Sequence, residues 1–157
     1  MGLTEVRKYF EKFDKNNNII IVPDSSATVA LAAQSLGVEE ARIAKSMAFI
    51  IHESPFIVVV AGDVKIDNRK YKDFFKAKAK MLNAKQVVEY TGHEVGGVCP
   101  FALKKTNMKV YLDVSLKRFA SVFPACGSPK SAIELTISEL EKYSNYYQWI
   151  DVCKLSD

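Results

Sequence analysis

Cysteine, tryptophan and long apolar runs are all scarce in this sequence of 157 residues. The three cysteines have an odd count and no C-x-x-C spacing, which argues against a disulfide framework or a zinc knuckle and favours free thiols. The longest apolar runs, such as residues 56–61, are far shorter than the roughly 20 residues of a membrane-spanning helix. The first residues lack the apolar core of a secretory signal. We therefore expect a cytoplasmic protein without membrane association.

The sequence does have an ordinary globular composition, with 48% hydrophobic and 25% charged residues. This composition excludes disordered, collagen-like and coiled-coil proteins. The length matches one domain, so we expect a single domain over residues 1–157. The net charge is only +4, but residues 65–85 contain eight basic and two acidic residues. That stretch could attract a polyanion such as RNA, or it could form a solvated helix face.

Hydrophobic spacing predicts helices and strands that do not follow a regular βαβ alternation. Helix caps are expected at Thr4, at Ser25 or Ser26, at Asp67, at Asn83, and at Ser138 with Glu141 as a capping box. A short helical piece is expected at 39–44, and strands are expected at 19–22, 47–51, 56–61, 98–101, 109–113, 121–125, 131–136 and 147–152. The pattern favours an α+β fold, a mixed β-sheet with flanking helices, over a doubly wound one.

The most unusual composition lies at residues 91–101, where Gly92, Gly96 and Gly97 precede Pro100. Glycine lets main-chain N–H groups approach a ligand closely, and a row of such donors can stabilise an oxyanion. The spacings of the P-loop and of the dinucleotide-binding fingerprint are both absent. A tight turn or bulge before a strand is the alternative interpretation.

Cys99 and His93 could form a thiol and base pair, since a thiol needs a nearby base to become a nucleophile. Their separation of six residues does not decide this, and a buried free cysteine often acts as a small hydrophobic residue. His93-Glu94 lacks the second histidine of the H-E-x-x-H motif, and no P-C-x-x-C follows. We therefore expect no metal site.

Two further positions could carry function. Lys45 lies where the predicted helical piece meets the strand at 47–51, so its side chain could point into a cleft or extend along the surface into solvent. Gly127 lies in a turn of small residues at 125–129, which could line a binding site or only connect two strands.

Four segments, taken in order, match one family. They are Thr28 with Ala32-Ala33 and Leu36-Gly37; Ile43-Ala44-Lys45-Ser46; Val95-Gly96-Gly97-Val98-Cys99-Pro100-Phe101; and Gly127 followed by Ile133-Glu134-Leu135. The sequence resembles the YbaK-like, prolyl-tRNA-synthetase-associated aminoacyl-tRNA deacylases, free-standing relatives of an editing domain of bacterial prolyl-tRNA synthetase. The resemblance implies a barrel-like mixed sheet and hydrolysis of the ester between a mischarged amino acid and tRNA, with no cofactor.

The resemblance also assigns roles to residues. Lys45 matches the family's key lysine and would hold the terminal adenosine phosphate or the substrate carbonyl. The loop formed by Gly96, Gly97, Val98, Cys99 and Pro100 would surround the aminoacyl group and donate N–H groups to the developing charge. Thr28 and Gly127 complete the expected substrate-binding set.

The expected partner is mischarged tRNA, first Cys-tRNA(Pro) and second Ala-tRNA(Pro), with prolyl-tRNA synthetase as a further partner that the resemblance suggests. The attacking group could be water, the ribose 2′-hydroxyl or a cysteinyl thiol of the substrate. Two alternatives stay open. One is a non-catalytic module that binds tRNA or a synthetase, and the other is a thiol-dependent hydrolase that uses Cys99.

Overall fold

A computed structural model describes residues 2–24 and 27–156. The helices are α1 (Leu3–Glu11), α2 (Val29–Leu36), α3 (Asn68–Phe75), α4 (Ala84–Thr91) and α5 (Ile137–Ser144). The strands are β1 (Ile20–Ile21), β2 (Ile43–Ile51), β3 (Ser54–Ala61), β4 (Val64–Ile66), β5 (Lys109–Asp113), β6 (Ser121–Pro124), β7 (Ser131–Ala132), β8 (Leu135–Thr136), β9 (Gln148–Ile150) and β10 (Cys153–Leu155). None of the helices described is long and apolar enough to cross a membrane.

Six strands form a curled mixed sheet in the order β8-β6-β2-β3-β5-β9, which confirms the predicted α+β class. The β2–β3 hairpin at its centre is antiparallel, with Ala44 opposite Ala61 and Ile51 opposite Ser54. β6 runs parallel to β2, and β5 runs parallel to β3. Strand β3 is buried from Pro55 to Ala61, which explains its continuous apolar run. Two short ladders, β1–β7 and β4–β10, lie outside this sheet.

The helices pack apolar faces on the sheet and begin at identifiable caps. In α1, Val6 and Phe10 are fully buried, and the Phe10 ring lies 4.9 Å from that of Phe101. The side chains of Asp67 and Asn83 accept hydrogen bonds from the first turns of α3 and α4, so both of these predicted caps are confirmed.

Other predicted caps are wrong. Gly2 occupies the cap position of α1, so Thr4 lies inside the helix. Thr28 caps α2 through its hydroxyl, whereas Ser25 and Ser26 lie outside the described residues. The capping box of α5 is Thr136 with Glu139, two residues before the predicted pair. The carboxylate of Glu141 accepts a hydrogen bond from the Trp149 indole instead.

Several strand boundaries also differ from expectation. A short 3₁₀ turn covers only Glu40–Arg42, and β2 begins at Ile43, so Lys45 lies inside the strand rather than at its junction with a helix. Residues 98–101 are irregular, so the strand predicted there is wrong. The predicted strand at 131–136 is split into β7 and β8, and between them the Ile133 N–H donates to the Pro124 carbonyl.

Candidate functional site

The site begins with a gap along one edge of β2. One edge of β2 is paired with β3 along nearly its whole length. At the opposite edge, β6 pairs only with the first two residues of β2, Ile43 and Ala44. Farther along, the Leu82 N–H donates to the Ala48 carbonyl, and the Ile50 N–H donates to the Lys80 carbonyl. Between these two pairings, residues 45–47 have no neighbouring strand at that edge among the residues described.

A cavity of about 330 Å³ lies at this gap. Its walls come from α2, β2, the end of β6, β7, the segment around Leu82 and the loop at 95–98. Most lining side chains are small and apolar, among them Ala32, Ala44, Ala48, Ala125 and Ala132. The cavity therefore presents a mainly apolar wall to a ligand, and its alanines leave room for a side chain.

Lys45 and Thr28, which the resemblance places in the site, both line this cavity. Lys45 is solvent-exposed and forms no ion pair with a described residue, so its ammonium group is available to an anionic or carbonyl ligand. Thr28 uses its Oγ1 to accept the Leu31 N–H at 3.2 Å. Its hydroxyl proton stays free to donate into the cavity.

Ser46 is a lining residue to which the sequence analysis assigned no role. Strand alternation places its side chain on the same face as Ala44 and Ala48 and opposite Lys45. Its Oγ is buried and has no hydrogen-bond partner among the described residues. A buried hydroxyl without a partner is costly, so it commonly marks a place where a ligand supplies the missing bond.

The main chain of Ser46 adds to this set. The bonds made by Ala48 and Ile50 show that even-numbered residues of β2 direct their N–H and carbonyl groups toward the gapped edge. By the same alternation, the N–H and carbonyl of Ser46 face the gap. Residue types alone could not reveal this, because it depends on which strand edge stays unpaired.

The glycine loop contributes to the cavity through Gly96 and Val98. Gly96 has φ +91°, and a Cβ there would lie 3.0 Å from that of Ala27, so the loop approaches the start of α2 closely. The N–H of Gly97 donates to the Glu94 carbonyl at 2.9 Å and is therefore unavailable to a ligand. The expectation that the whole loop offers free donors is thus wrong for Gly97.

Gly97 and Gly127 serve close main-chain packing instead. A Cβ on Gly97 would lie 2.4 Å from the backbone of Ser128, and the Gly127 N–H donates to the Gly97 carbonyl at 3.0 Å. Neither glycine lines the cavity, and neither does the buried Pro100. The contacts of Gly97 and Gly127 therefore position the main chain of the loop.

Cys99 lies in the hydrophobic core and not in the cavity wall, contrary to expectation. Its side chain is fully buried, and burial raises the pKa of the thiol to about 12. The Sγ lies 3.5 Å from His93 Nε2, but that nitrogen is 2.7 Å from the Phe101 carbonyl oxygen. Since a carbonyl only accepts, Nε2 carries the proton and cannot take one from the thiol. Burial also lowers the pKa of His93. This geometry does not support the cysteine-hydrolase alternative.

Arg42 supports the cavity wall from outside. Its guanidinium group lies 5.1 Å from the ring centre of Phe123, a lining residue, and donates to Ser121 and Glu134.

Among the residues described, no group of three or more histidine, cysteine, aspartate or glutamate side chains could hold a metal ion.

Comparison with known proteins adds family information to this geometry. The family model described as the aminoacyl-tRNA editing domain matches residues 24–143. The chain is 52% identical over 155 residues to YwhH of Bacillus subtilis (strain 168), covering 98% of each protein. It is 28% identical over 115 residues to EbsC of Enterococcus faecalis (strain ATCC 700802 / V583), covering 72% of this chain and 70% of EbsC.

EbsC is named as a candidate Cys-tRNA(Pro)/Cys-tRNA(Cys) deacylase. A solved structure described as a candidate trans-editing enzyme for prolyl-tRNA synthetase superimposes with a TM-score of 0.86 at 25% identity. That superposition covers 98% of this chain and 97% of the solved one.

Proposed function

Because the chain belongs to the aminoacyl-tRNA editing domain family, we propose that it hydrolyses the ester of mischarged tRNA, with Cys-tRNA(Pro) as its first substrate and Ala-tRNA(Pro) as its second. One observation carries the proposal: Lys45 and Ser46, whose buried hydroxyl has no partner among the described residues, line the same apolar cavity. The candidate activity of EbsC supports the choice of a cysteinyl ester.

The chemistry needs no protein nucleophile. Among the described residues that line the cavity, Lys45 is the one with an ionisable side chain, and no carboxylate, imidazole or thiol lies beside it. An aminoacyl ester is already activated, so positioning and electrostatic stabilisation can supply the rate enhancement. A lysine ammonium group suits that purpose, since it offers a charge and three donors.

Each contact then has a defined role. Lys45 binds the terminal adenosine phosphate or the ester carbonyl through charge-assisted hydrogen bonds. The Ser46 N–H, together with the N–H groups of Gly96 and Val98, receives the negative charge that develops on the carbonyl oxygen. Thr28 and the Ser46 hydroxyl orient the amino acid. A water oxygen adds to the carbonyl carbon, the bond to the ribose oxygen breaks, and that oxygen takes a proton.

The apolar walls select the amino acid by volume. A pocket of this kind discriminates by only about 1–3 kcal/mol per methylene, so it accepts cysteine and alanine together. The alanines along β2 and the end of β6 leave room for a short side chain. Rejection of larger groups follows from contact with Leu36, Phe123 and Val87 at the walls.

A deacylation screen tests the proposal. Purified protein is mixed with tRNA(Pro) carrying alanine, cysteine, serine, threonine or proline, and the remaining ester is measured over time. The expected profile is rapid loss of the cysteinyl ester, slower loss of the alanyl ester, and survival of the prolyl ester. A flat profile at the uncatalysed rate would leave a tRNA-binding or synthetase-binding module as the better explanation.

A further inference from the structure

A chain segment with three lysines leads directly to the cavity just described. Residues 76–80 have the sequence Lys-Ala-Lys-Ala-Lys, and all three lysines are exposed. We call this segment the lysine strap. It connects the end of α3 to Met81, which lines the cavity. The strap therefore ends at the cavity where the aminoacyl ester would bind, with Lys80 next in sequence to the lining residue Met81.

Both ends of the strap are fixed. At its start, the Lys76 N–H donates to the Lys72 carbonyl at 2.8 Å, and the preceding Phe75 ring packs 4.6 Å from that of Tyr71. At its end, the Lys80 carbonyl accepts the Ile50 N–H at 3.0 Å. The main chain of the strap is thus anchored at both ends, which limits the ordering of the backbone that a bound ligand requires.

At least one basic neighbour of the strap has a counter-ion, whereas the strap lysines have none among the described residues. Lys70 forms an ion pair with Asp151 at 3.1 Å and also donates to the Cys153 carbonyl. By contrast, Lys76, Lys78 and Lys80 make no ion pair with a described residue. Arg69, Lys72 and Lys85 also make no ion pair with a described residue, so the strap lysines are part of a wider basic surface that an external anion can use.

A second cavity lies at the other end of the strap. It also has a volume of about 330 Å³, and Phe75, the residue before the strap, lines it with Tyr111. Lys105 and Lys109 stand in the same lining, together with the carboxylate of Glu53. Phe75 and Met81 are six positions apart in the chain, so their Cα atoms are at most roughly 20 Å apart. Lysines with aromatic walls match the usual makeup of a single-stranded nucleic-acid groove.

We propose that the lysine strap binds the phosphates of the single-stranded 3′ end of tRNA, with the ester in the first cavity and an upstream unpaired nucleotide at the second. This inference rests on the proposed function, because it takes the strand that carries the ester as the ligand. The two cavities lie at the two ends of the strap, and the strap lysines form no ion pair with a described residue.

The test measures RNA binding and catalysis separately. Binding of uncharged tRNA is followed by fluorescence anisotropy at several salt concentrations, for the wild type and for the K76A/K78A/K80A and K105A/K109A variants. The matched control, K8A/K12A/K142A, removes three exposed lysines from α1, its C-terminal end and α5, none of which lines either cavity. Deacylation is measured on aminoacyl-tRNA and on an aminoacyl-adenosine that lacks the RNA chain.

Each single-strand phosphate contact contributes about 0.7 to the slope of log K against log salt, so the strap variant should lose about 2 from that slope. If the wild type and the strap variant have equal binding constants near 1 M salt, this difference in slope corresponds to about 100-fold weaker binding of the variant at 0.1 M. The K105A/K109A variant should lose about 1.4 from the slope. Turnover of aminoacyl-tRNA should fall in the strap variant, whereas turnover of aminoacyl-adenosine should not change.

Three results would overturn the proposal: an unchanged slope in the strap variant, an equal loss in the control, or loss of binding to prolyl-tRNA synthetase with RNA binding intact. The last would mean that the strap contacts a protein. Absence of deacylation in the wild type would refute the proposed function instead, and the binding measurements would still test the strap.

Discussion

Replacing Ser46 by alanine should make the protein more stable and a slower catalyst. The Oγ of Ser46 is buried without a partner among the described residues, so the folded protein loses no hydrogen bond when it is removed. Removal also relieves the desolvation cost of an unsatisfied polar group, which is about 1–3 kcal/mol. For a protein of this size, each kcal/mol corresponds to a rise in Tm of about 2–4 °C.

The catalytic effect of the same substitution has the opposite sign. If the hydroxyl bonds the bound amino acid, its loss removes one neutral hydrogen bond, worth about 0.5–1.5 kcal/mol. This predicts a fall in kcat/KM of about 2- to 13-fold on cysteinyl-tRNA(Pro). The two readouts are thermal unfolding followed by circular dichroism and deacylation under kcat/KM conditions.

Ser115 provides the matched control. Its Oγ accepts the N–H of the fully buried Ala61 at 3.1 Å, and it does not line the cavity. Ser115→Ala should therefore lower Tm, since it leaves a buried N–H unpaired, and should leave kcat/KM unchanged. A lower Tm for Ser46→Ala would mean that its hydroxyl already has a partner. An unchanged kcat/KM would mean that this hydroxyl does not contact the substrate.

Further predictions concern the buried thiol and a helix cap. Cys99→Ala and Cys99→Ser should both keep most of the deacylation activity, and near-complete loss in both variants would restore a nucleophile role. The folded wild type should also resist alkylation at Cys99, because burial raises the pKa of the thiol to about 12. Hydrogen bonds from the Thr136 N–H and from Lys15 lower the pKa of Glu139 below its ordinary 4.5. The ionised carboxylate therefore stabilises the fold above the unfolded-state pKa and loses this effect as the pH falls through the folded-state pKa. Since glutamine can still cap, Glu139→Gln should be less stable than the wild type at pH 7 in urea titrations, and this gap should shrink as the pH falls below 4.5. A gap that does not change with pH would contradict this.

Sequence patterns predicted the parts of the fold that local chemistry determines. Asp67 and Asn83 begin helices because their side chains bond the N–H groups that follow, and that preference needs no distant partner. The long apolar run of β3 is equally local, since burial on both faces requires it. Near α5 the sequence contains two overlapping capping-box spacings, Thr136 with Glu139 and Ser138 with Glu141. The hydrogen bond that the Trp149 indole donates to Glu141 cannot be foreseen from spacing.

The candidate site depends more strongly on long-range pairing. Lys45, Thr28 and Gly96 were reached through resemblance, and the structure brings them to one cavity. Ser46 was missed because its importance comes from an unpaired edge of β2. That edge is unpaired because β6 pairs with β2 before Ser46 and the segment before α4 pairs with β2 after it, which leaves a gap between them. Cys99 and His93 do lie close together, but the Phe101 carbonyl determines which nitrogen carries the proton.

The most direct test of the account is single-turnover deacylation of cysteinyl-tRNA(Pro) by Lys45→Ala. Lys45 is exposed and unpaired among the described residues, so the variant should fold with a wild-type circular dichroism spectrum and Tm. Loss of a charge-assisted contact in the transition state, worth about 1.5–3 kcal/mol, predicts a rate lower by roughly 10- to 160-fold. A folded variant that cleaves the ester at the wild-type rate would contradict the central role of this ammonium group.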